Sequence, residues 1–264
     1  MDLIIGSLDE TMSLGEINAY YYPYRTHHIT PLCSCGKEDC VIFNGIKKLS
    51  RKNFISKIFK KNEIKSLIDS SKSLLWIYEN KKYLENENIT IFNIVLIKEF
   101  KFYAHSIWKR GGDIKLAYKK YTSYYNMLIN SGISYCLINQ NQLINNKENV
   151  SKIINNYTGL SIKIENFDFW NYEHHYFFGS PSAKNQISSK RKQKVREFEE
   201  LFLKEFDSFI DYKKENALNE LKNNLKDRES KNLSPNTKFK IWYLLKKLKT
   251  SLISFYTIYN EKRK

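Results

Sequence analysis

The residues best suited to chemistry are Asp69-Ser70-Ser71-Lys72-Ser73, which follow the apolar Leu67-Ile68 and precede Leu74-Leu75-Trp76-Ile77-Tyr78. Aspartate and serine cap helix starts because their oxygens accept the first, otherwise unpaired, N–H groups. A strand that ends in such a cap and turns into a helix makes a site for anions. Backbone N–H groups and the helix dipole favour negative charge there, and Lys72 adds a full positive charge. Taken alone, the octapeptide reads as an ordinary capped helix with a solvated lysine. A functional reading rests on what surrounds it.

A second group of reactive side chains is Cys33-Ser34-Cys35-Gly36-Lys37-Glu38-Asp39-Cys40, with His27 and His28 just upstream and Cys136 far away. Thiolates and imidazoles at close spacing can bind zinc. The C-x-C-x4-C spacing is not that of a paired knuckle, however, and no second cysteine pair follows. The expectation is a packed or weakly redox-active thiol cluster and no metal, with zinc on Cys33, Cys35 and Cys40 as the alternative.

The elements that must position these groups are legible in outline. At 264 residues the chain can bury a sizeable core, as one large domain or a domain with an appendage. Hydrophobic residues at 42% and aromatics at 15% argue against disorder. No apolar run approaches a membrane span, and Met1-Asp2-Leu3-Ile4-Ile5-Gly6 lacks the basic lead and long apolar core of a signal peptide. The expected compartment is the cytoplasm. The net charge of +16 suggests an anionic partner. Yet Lys, Asn, Ile and Tyr are all abundant, as AT-rich codon usage produces, and this explains most of the excess. Nucleic acid is therefore not expected as a partner.

Met1 to Asn18 reads as a helix end and a turn, Tyr20 to Gly45 as an irregular loop, and Ile46 to Glu63 as a basic helix. The helix after Lys72 is expected to reach about Leu84. Ile91 to Ile97 reads as a buried strand and is followed by a helix holding Ser106 and Trp108. A long helix from Ile114 to Asn130 is broken at Gly132. A strand from Ile133 to Ile138 and a helix from Val150 to Tyr157, closed by Gly159, complete the alternation. Strands alternating with helices predict an α/β fold with a largely parallel sheet flanked by helices over residues 1–189. Residues 190–264 are charged and helical, and predict a C-terminal helical extension.

Five segments, in order, resemble the P-loop sulfotransferases, in particular the bacterial branch related to tyrosylprotein and carbohydrate sulfotransferases. They are Leu3-Ile4-Ile5-Gly6-Ser7 through Ser13-Leu14-Gly15-Glu16-Ile17; the Cys33-Ser34-Cys35-Gly36 insertion; Ile68-Asp69-Ser70-Ser71-Lys72-Ser73; Val95 to Lys101 with Ser106-Ile107-Trp108-Lys109; and Gly132 to Lys184. The resemblance implies transfer of a sulfuryl group from 3′-phosphoadenosine-5′-phosphosulfate to a hydroxyl acceptor, on a P-loop-NTPase-like sheet. It implies Glu16 as the general base and Lys72 as the cation facing the transferring group. Lys98 and Ser106 hold the donor's 3′-phosphate, and Ser71 and Lys184 join the donor site. His174 and His175 are packing and hydrogen-bonding residues on this reading.

Departures are plain. Lys98 stands where the family has arginine and cannot give a planar bidentate contact, and Asp-Pro-Arg reads Glu99-Phe100-Lys101. The family's Gly-rich loop with Arg-Ser-Gly belongs just upstream of Leu3, and with it the first strand of the sheet. The chain as written is therefore expected to transfer no sulfuryl group by itself. The alternatives are a non-catalytic relic or an anion- or glycan-binding module of the same fold, and less readily a basic, zinc-clustered nucleic-acid-binding protein. The acceptor, a glycan, lipid or small molecule, is not specified.

Overall fold

The computed structural model describes residues 1–37, 40–46, 49–51, 54–62, 64–178 and 198–262. Its elements, in chain order, are α1 (Asp2–Ile5), β1 (Thr11–Ser13), α2 (Asn18–Tyr21), α3 (Val41–Ile46), α4 (Phe54–Asn62), β2 (Ser66–Ile68), α5 (Leu74–Asn86), β3 (Ile94–Ile97), α6 (Phe100–Trp108), α7 (Ile114–Asn130), β4 (Cys136–Asn139), α8 (Gln140–Asn145), α9 (Lys147–Thr158), α10 (Glu200–Phe209), α11 (Tyr212–Asp227) and α12 (Thr237–Lys262). Short 3-10 turns at Thr26–His28, Ile164–Phe167 and Phe169–Asn171 punctuate the rest. The fold is mixed α/β, mostly helical, with small parallel sheets. No described helix is long and apolar enough to cross a membrane.

The described residues form two compact units, one within residues 1–91, 161–178 and 242–262, the other within 92–160 and 198–241. In the first, β1 pairs parallel with β2 in the register Thr11↔Ser66, Met12↔Leu67, Ser13↔Ile68. In the second, β3 pairs parallel with β4 from Ile94↔Cys136 to Ile97↔Asn139. Parallel neighbours need a crossover rather than a hairpin. Helices α2 to α4 make it in the first unit, and α6 and α7 in the second.

Local chemistry explains the helix boundaries. The Ser73 hydroxyl accepts the Trp76 N–H at 3.3 Å and starts α5, and the Asp113 carboxylate accepts the Leu116 N–H and starts α7. Gly159, at φ +75°, closes α9 in the left-handed conformation that glycine adopts without penalty. Helix α7 buries Ile114, Ala117, Tyr121, Tyr125 and Leu128, a stripe at three- and four-residue spacing.

Three sequence expectations are adjusted. Thr11–Ser13 is a strand rather than part of a turn; only three residues long, it has no periodicity to detect and exists because Ser66–Ile68 lies beside it. The loop expected from Tyr20 to Gly45 contains most of α3, and the basic stretch after it holds α4 at Phe54–Asn62. Strand β3 is shorter than Ile91 to Ile97, and of its residues only Ile97 is fully buried.

Helices α10 and α11 bury Phe202, Phe206, Leu221 and Leu225 within the second unit. The Tyr135 hydroxyl donates to the Leu225 carbonyl at 2.8 Å, and the Leu137 N–H donates to the Glu229 carboxylate at 2.7 Å. The Leu137 N–H at the edge of β4 is thus satisfied from the C-terminal side. In the first unit the buried Glu79 of α5 ties α12 in place: it accepts from Arg51 at 2.6 Å and Tyr22 at 3.0 Å and pairs with Lys247 at 3.3 Å.

Phe202 is fully buried, its ring 4.8 Å from that of His105 and 5.5 Å from that of Phe206. Phe202→Ala should cost about 3–5 kcal/mol in urea unfolding, the range for a buried aromatic. A loss below about 1 kcal/mol would show that α10 is a loose appendage.

Candidate functional site

Parallel strands deliver their carboxyl ends, and the loops that follow, to one side, where ligands of α/β proteins ordinarily bind. β1 and β2 do this for Glu16 and Lys72. Pairing continues past both strand ends: the Leu14 N–H donates to the Ile68 carbonyl at 2.8 Å, and the Ser70 N–H to the Gly15 carbonyl at 2.9 Å. The two loops then meet. The Lys72 ammonium forms an ion pair with the Glu16 carboxylate, 56 residues away in sequence. Lys72 is largely solvent-exposed at 75%, whereas Glu16 is 24% exposed.

Beneath this pair the anion-binding capacity of the turn is largely met from within. The Asp69 carboxylate accepts the Ser71 N–H at 2.8 Å and the Trp76 indole N–H. Burial pushes the Asp69 carboxyl above its ordinary range, against the lowering effect of those hydrogen bonds. Ser71 is buried, and its hydroxyl accepts the Asn18 N–H at 2.9 Å, pinning the second loop to the start of α2. Lys72 is therefore the cation of this turn that faces water. An incoming anion would compete for it with Glu16.

The other edge of the Leu14–Gly15 backbone is occupied by Phe177. The Phe177 N–H donates to the Leu14 carbonyl at 3.0 Å, and the Glu16 N–H to the Phe177 carbonyl at 3.1 Å. Gly15 sits at φ +66°, and a Cβ there would lie 2.1 Å from the Phe177 oxygen. Only glycine fits both the left-handed conformation and the close approach.

The segment that carries Phe177 leads directly to the cysteines. Ser34 is matched with it on both sides: its N–H donates to the Tyr176 carbonyl at 3.1 Å, and its hydroxyl donates to the His174 carbonyl at 2.6 Å and accepts the Tyr176 N–H at 3.0 Å. Next to this clamp, donor atoms of Cys33, Cys35, Cys40 and His175 all lie within 4.8 Å of one another. The cysteines carry no disulfide. His175 Nδ1 is 3.6 Å from the Cys33 sulfur and 3.5 Å from the Cys40 sulfur.

The sequence pattern missed His175 as a fourth member of this group because it lies 135 residues beyond Cys40. The neighbouring His174 is a packing residue: buried, it pairs through Nε2 with the Phe169 carbonyl at 2.6 Å. His28, upstream of the cysteines, packs its ring 4.3 Å from that of Tyr24 and 4.6 Å from that of Phe178.

Lys98 follows the last residue of β3, and Ser106 lies on α6, so they occupy the strand end and the following helix in the second unit. The Lys98 carbonyl accepts the Tyr121 hydroxyl at 2.7 Å, which fixes the backbone at that strand end. Lys184 lies outside the described residues. No family model matches the chain, and neither does any curated protein or solved structure.

Two outcomes test this geometry. Gly15→Ala must either expel Phe177 or abandon the turn, because an alanine that keeps the left-handed conformation pays about 1–2 kcal/mol and meets the Phe177 oxygen. It should lower the melting temperature and the affinity of any ligand at Glu16–Lys72; an unchanged melting temperature would show that the Phe177 contact is dispensable. His28 is pushed down to about 4, first by burial and then by the charges of His27 and Arg25. Unfolded, it takes a proton near its ordinary 6.5, so this contribution lowers stability as pH falls from 6.5 to about 4 and is absent above that window. His28→Gln should flatten the urea midpoint across that window, and an identical pH dependence would exclude His28 as the cause.

Proposed function

We propose that this chain is sulfotransferase-like, with Glu16 as the acceptor base and Lys72 as the sulfuryl-facing cation on a P-loop-like α/β fold. The observation that supports this reading most is the meeting of Glu16 and Lys72 at the carboxyl ends of adjacent parallel strands. In the family's reaction, to which these residues would contribute, the acceptor hydroxyl oxygen attacks the sulfur of 3′-phosphoadenosine-5′-phosphosulfate. The bond from sulfur to the bridging phosphate oxygen breaks, and adenosine 3′,5′-bisphosphate leaves. Glu16 takes the hydroxyl proton, as a carboxylate within hydrogen-bond reach can. Lys72 stabilises the negative charge on the equatorial sulfuryl oxygens.

This order of events requires the Glu16–Lys72 pair to open. The donor's anionic group replaces Glu16 as the partner of Lys72 and frees the carboxylate for the acceptor. Lys98 and Ser106 are assigned to the 3′-phosphate, with Lys98 acting as a point charge rather than a fork. The strands among the described residues pair in parallel, and a helix follows each of them, which supports the fold assignment. A second reading, a non-catalytic anion- or glycan-binding module, is favoured by the internal neutralisation of Lys72.

Calorimetry with adenosine 3′,5′-bisphosphate tests the proposal. Binding is expected, with affinity about tenfold weaker in Lys98→Ala, the loss of one charge-assisted contact. Glu16→Gln removes the internal competitor for Lys72 and should tighten the nucleotide. Absence of binding to the intact chain would overturn the proposal. Binding that ignores both substitutions would transfer the site to the second reading.

A further inference from the structure

We infer that Cys33, Cys35, Cys40 and His175 form a closed, structural zinc site. Tetrahedral zinc with Zn–S near 2.3 Å and Zn–N near 2.0–2.1 Å requires sulfur–nitrogen edges of about 3.6 Å. The two sulfur–nitrogen distances, 3.6 Å from Cys33 and 3.5 Å from Cys40, already match those edges. All four donors fall within 4.8 Å of one another, on two segments separated by 135 residues. Hydrophobic packing alone gives no reason for three thiols and a ring nitrogen to converge. A disulfide would use two sulfurs and leave the third facing His175.

The surroundings fit a bound cation. The other ring nitrogen of His175, Nε2, lies 3.4 Å from the Glu173 carboxylate. A carboxylate beside the far nitrogen favours the tautomer that presents Nδ1 to a metal. The Cys35 N–H is directed at the Cys33 sulfur and the Lys37 N–H at the Cys35 sulfur. Gly36, at φ +73°, lets the backbone turn sharply between these residues, and its N–H closes on the Cys33 carbonyl at 3.0 Å. A set of three thiolates and one imidazole selects zinc among divalent ions by softness and geometry.

Four protein donors leave no open position, so the ion is structural rather than catalytic. Its effect is to weld Cys33, Cys35 and Cys40 to the segment that ends in Phe177, whose backbone flanks Gly15 and Glu16. The zinc site stands independently of any sulfuryl chemistry, since it rests on different residues and is read out by metal content.

The test is metal analysis of the intact chain, purified without chelator under reducing conditions. One equivalent of zinc is expected in the wild type and in Cys136→Ser, whose cysteine belongs to β4 in the other unit. Cys40→Ser and His175→Ala should fall to a small fraction of that content. Because such variants can fail to fold, His175→Cys provides a second measurement. It supplies a fourth thiolate and should retain the metal. Replacement of zinc by cobalt should give thiolate-to-metal charge transfer and intense tetrahedral ligand-field bands in the wild type, shifted in His175→Cys. Zinc-free protein that takes up neither zinc nor cobalt would overturn the inference. So would a cobalt spectrum identical in wild type and His175→Cys, or iron in place of zinc.

Discussion

The first unit depends on a close backbone approach at Gly15. The peptide that follows β1 is held on one edge by Ile68 and Ser70 and on the other by Phe177. Any side chain at Gly15 would collide with the Phe177 oxygen. Buried backbone N–H and C=O groups must find partners, and here two distant segments supply them for the same short stretch. The consequence is positional precision at Glu16, whose N–H is tied to Phe177 while its carboxylate reaches Lys72. The same contact fills the space above the core, where the Phe177 ring lies 3.8 Å from that of Phe43 and 5.6 Å from that of Tyr20.

Through that contact the cysteine group and the Glu16–Lys72 pair become parts of one mechanical assembly. Ser34 and the thiols hold residues 174–176, residues 174–176 place Phe177, and Phe177 places Glu16. An exposed ion pair such as Lys72–Glu16 contributes little to stability by itself, because solvent screens it and two long side chains must be ordered. Its geometry therefore has to come from the backbone beneath it. The buried carboxylates show the opposite logic. Asp69 and Glu79 are surrounded by donors, since an unpaired charge in the interior is strongly unfavourable.

The described sheet of the second unit, like that of the first, is a single parallel pair, too small to bury its own edges. The unit brings α10 and α11 against α6 and α7 and satisfies the Leu137 N–H with Glu229. Gly132 makes this possible by the same means as Gly15. At φ +72° it admits the Leu233 carbonyl to within 1.9 Å of where a Cβ would stand. Aromatic rings from both ends of the unit, Phe100, His105, Phe202 and Phe206, interlock in one cluster. The charge pattern of residues 190–264 resembles a solvated appendage, since most positions of these helices are indeed exposed. The few buried aromatic and leucine positions that anchor them are too sparse to stand out.

The amino-acid sequence by itself determined those features that rest on local chemistry. The helix starts at Ser73 and Asp113, the stop at Gly159, the stripe of α7 and the placement of Lys98 and Ser106 on a strand end and a helix all follow from capping, periodicity and turn preferences. The turn Asp69-Ser70-Ser71-Lys72 was legible as a capped, cationic junction for the same reason. Tertiary structure alone decided which distant groups meet. Strand β1 is too short to announce itself and exists through β2; Glu16 and Lys72 meet because those strands run parallel; His175 joins the cysteines because Ser34 clamps the segment that carries it. Contacts between segments 50 to 140 residues apart leave no local period or spacing, because they are selected by packing and backbone pairing in the folded chain.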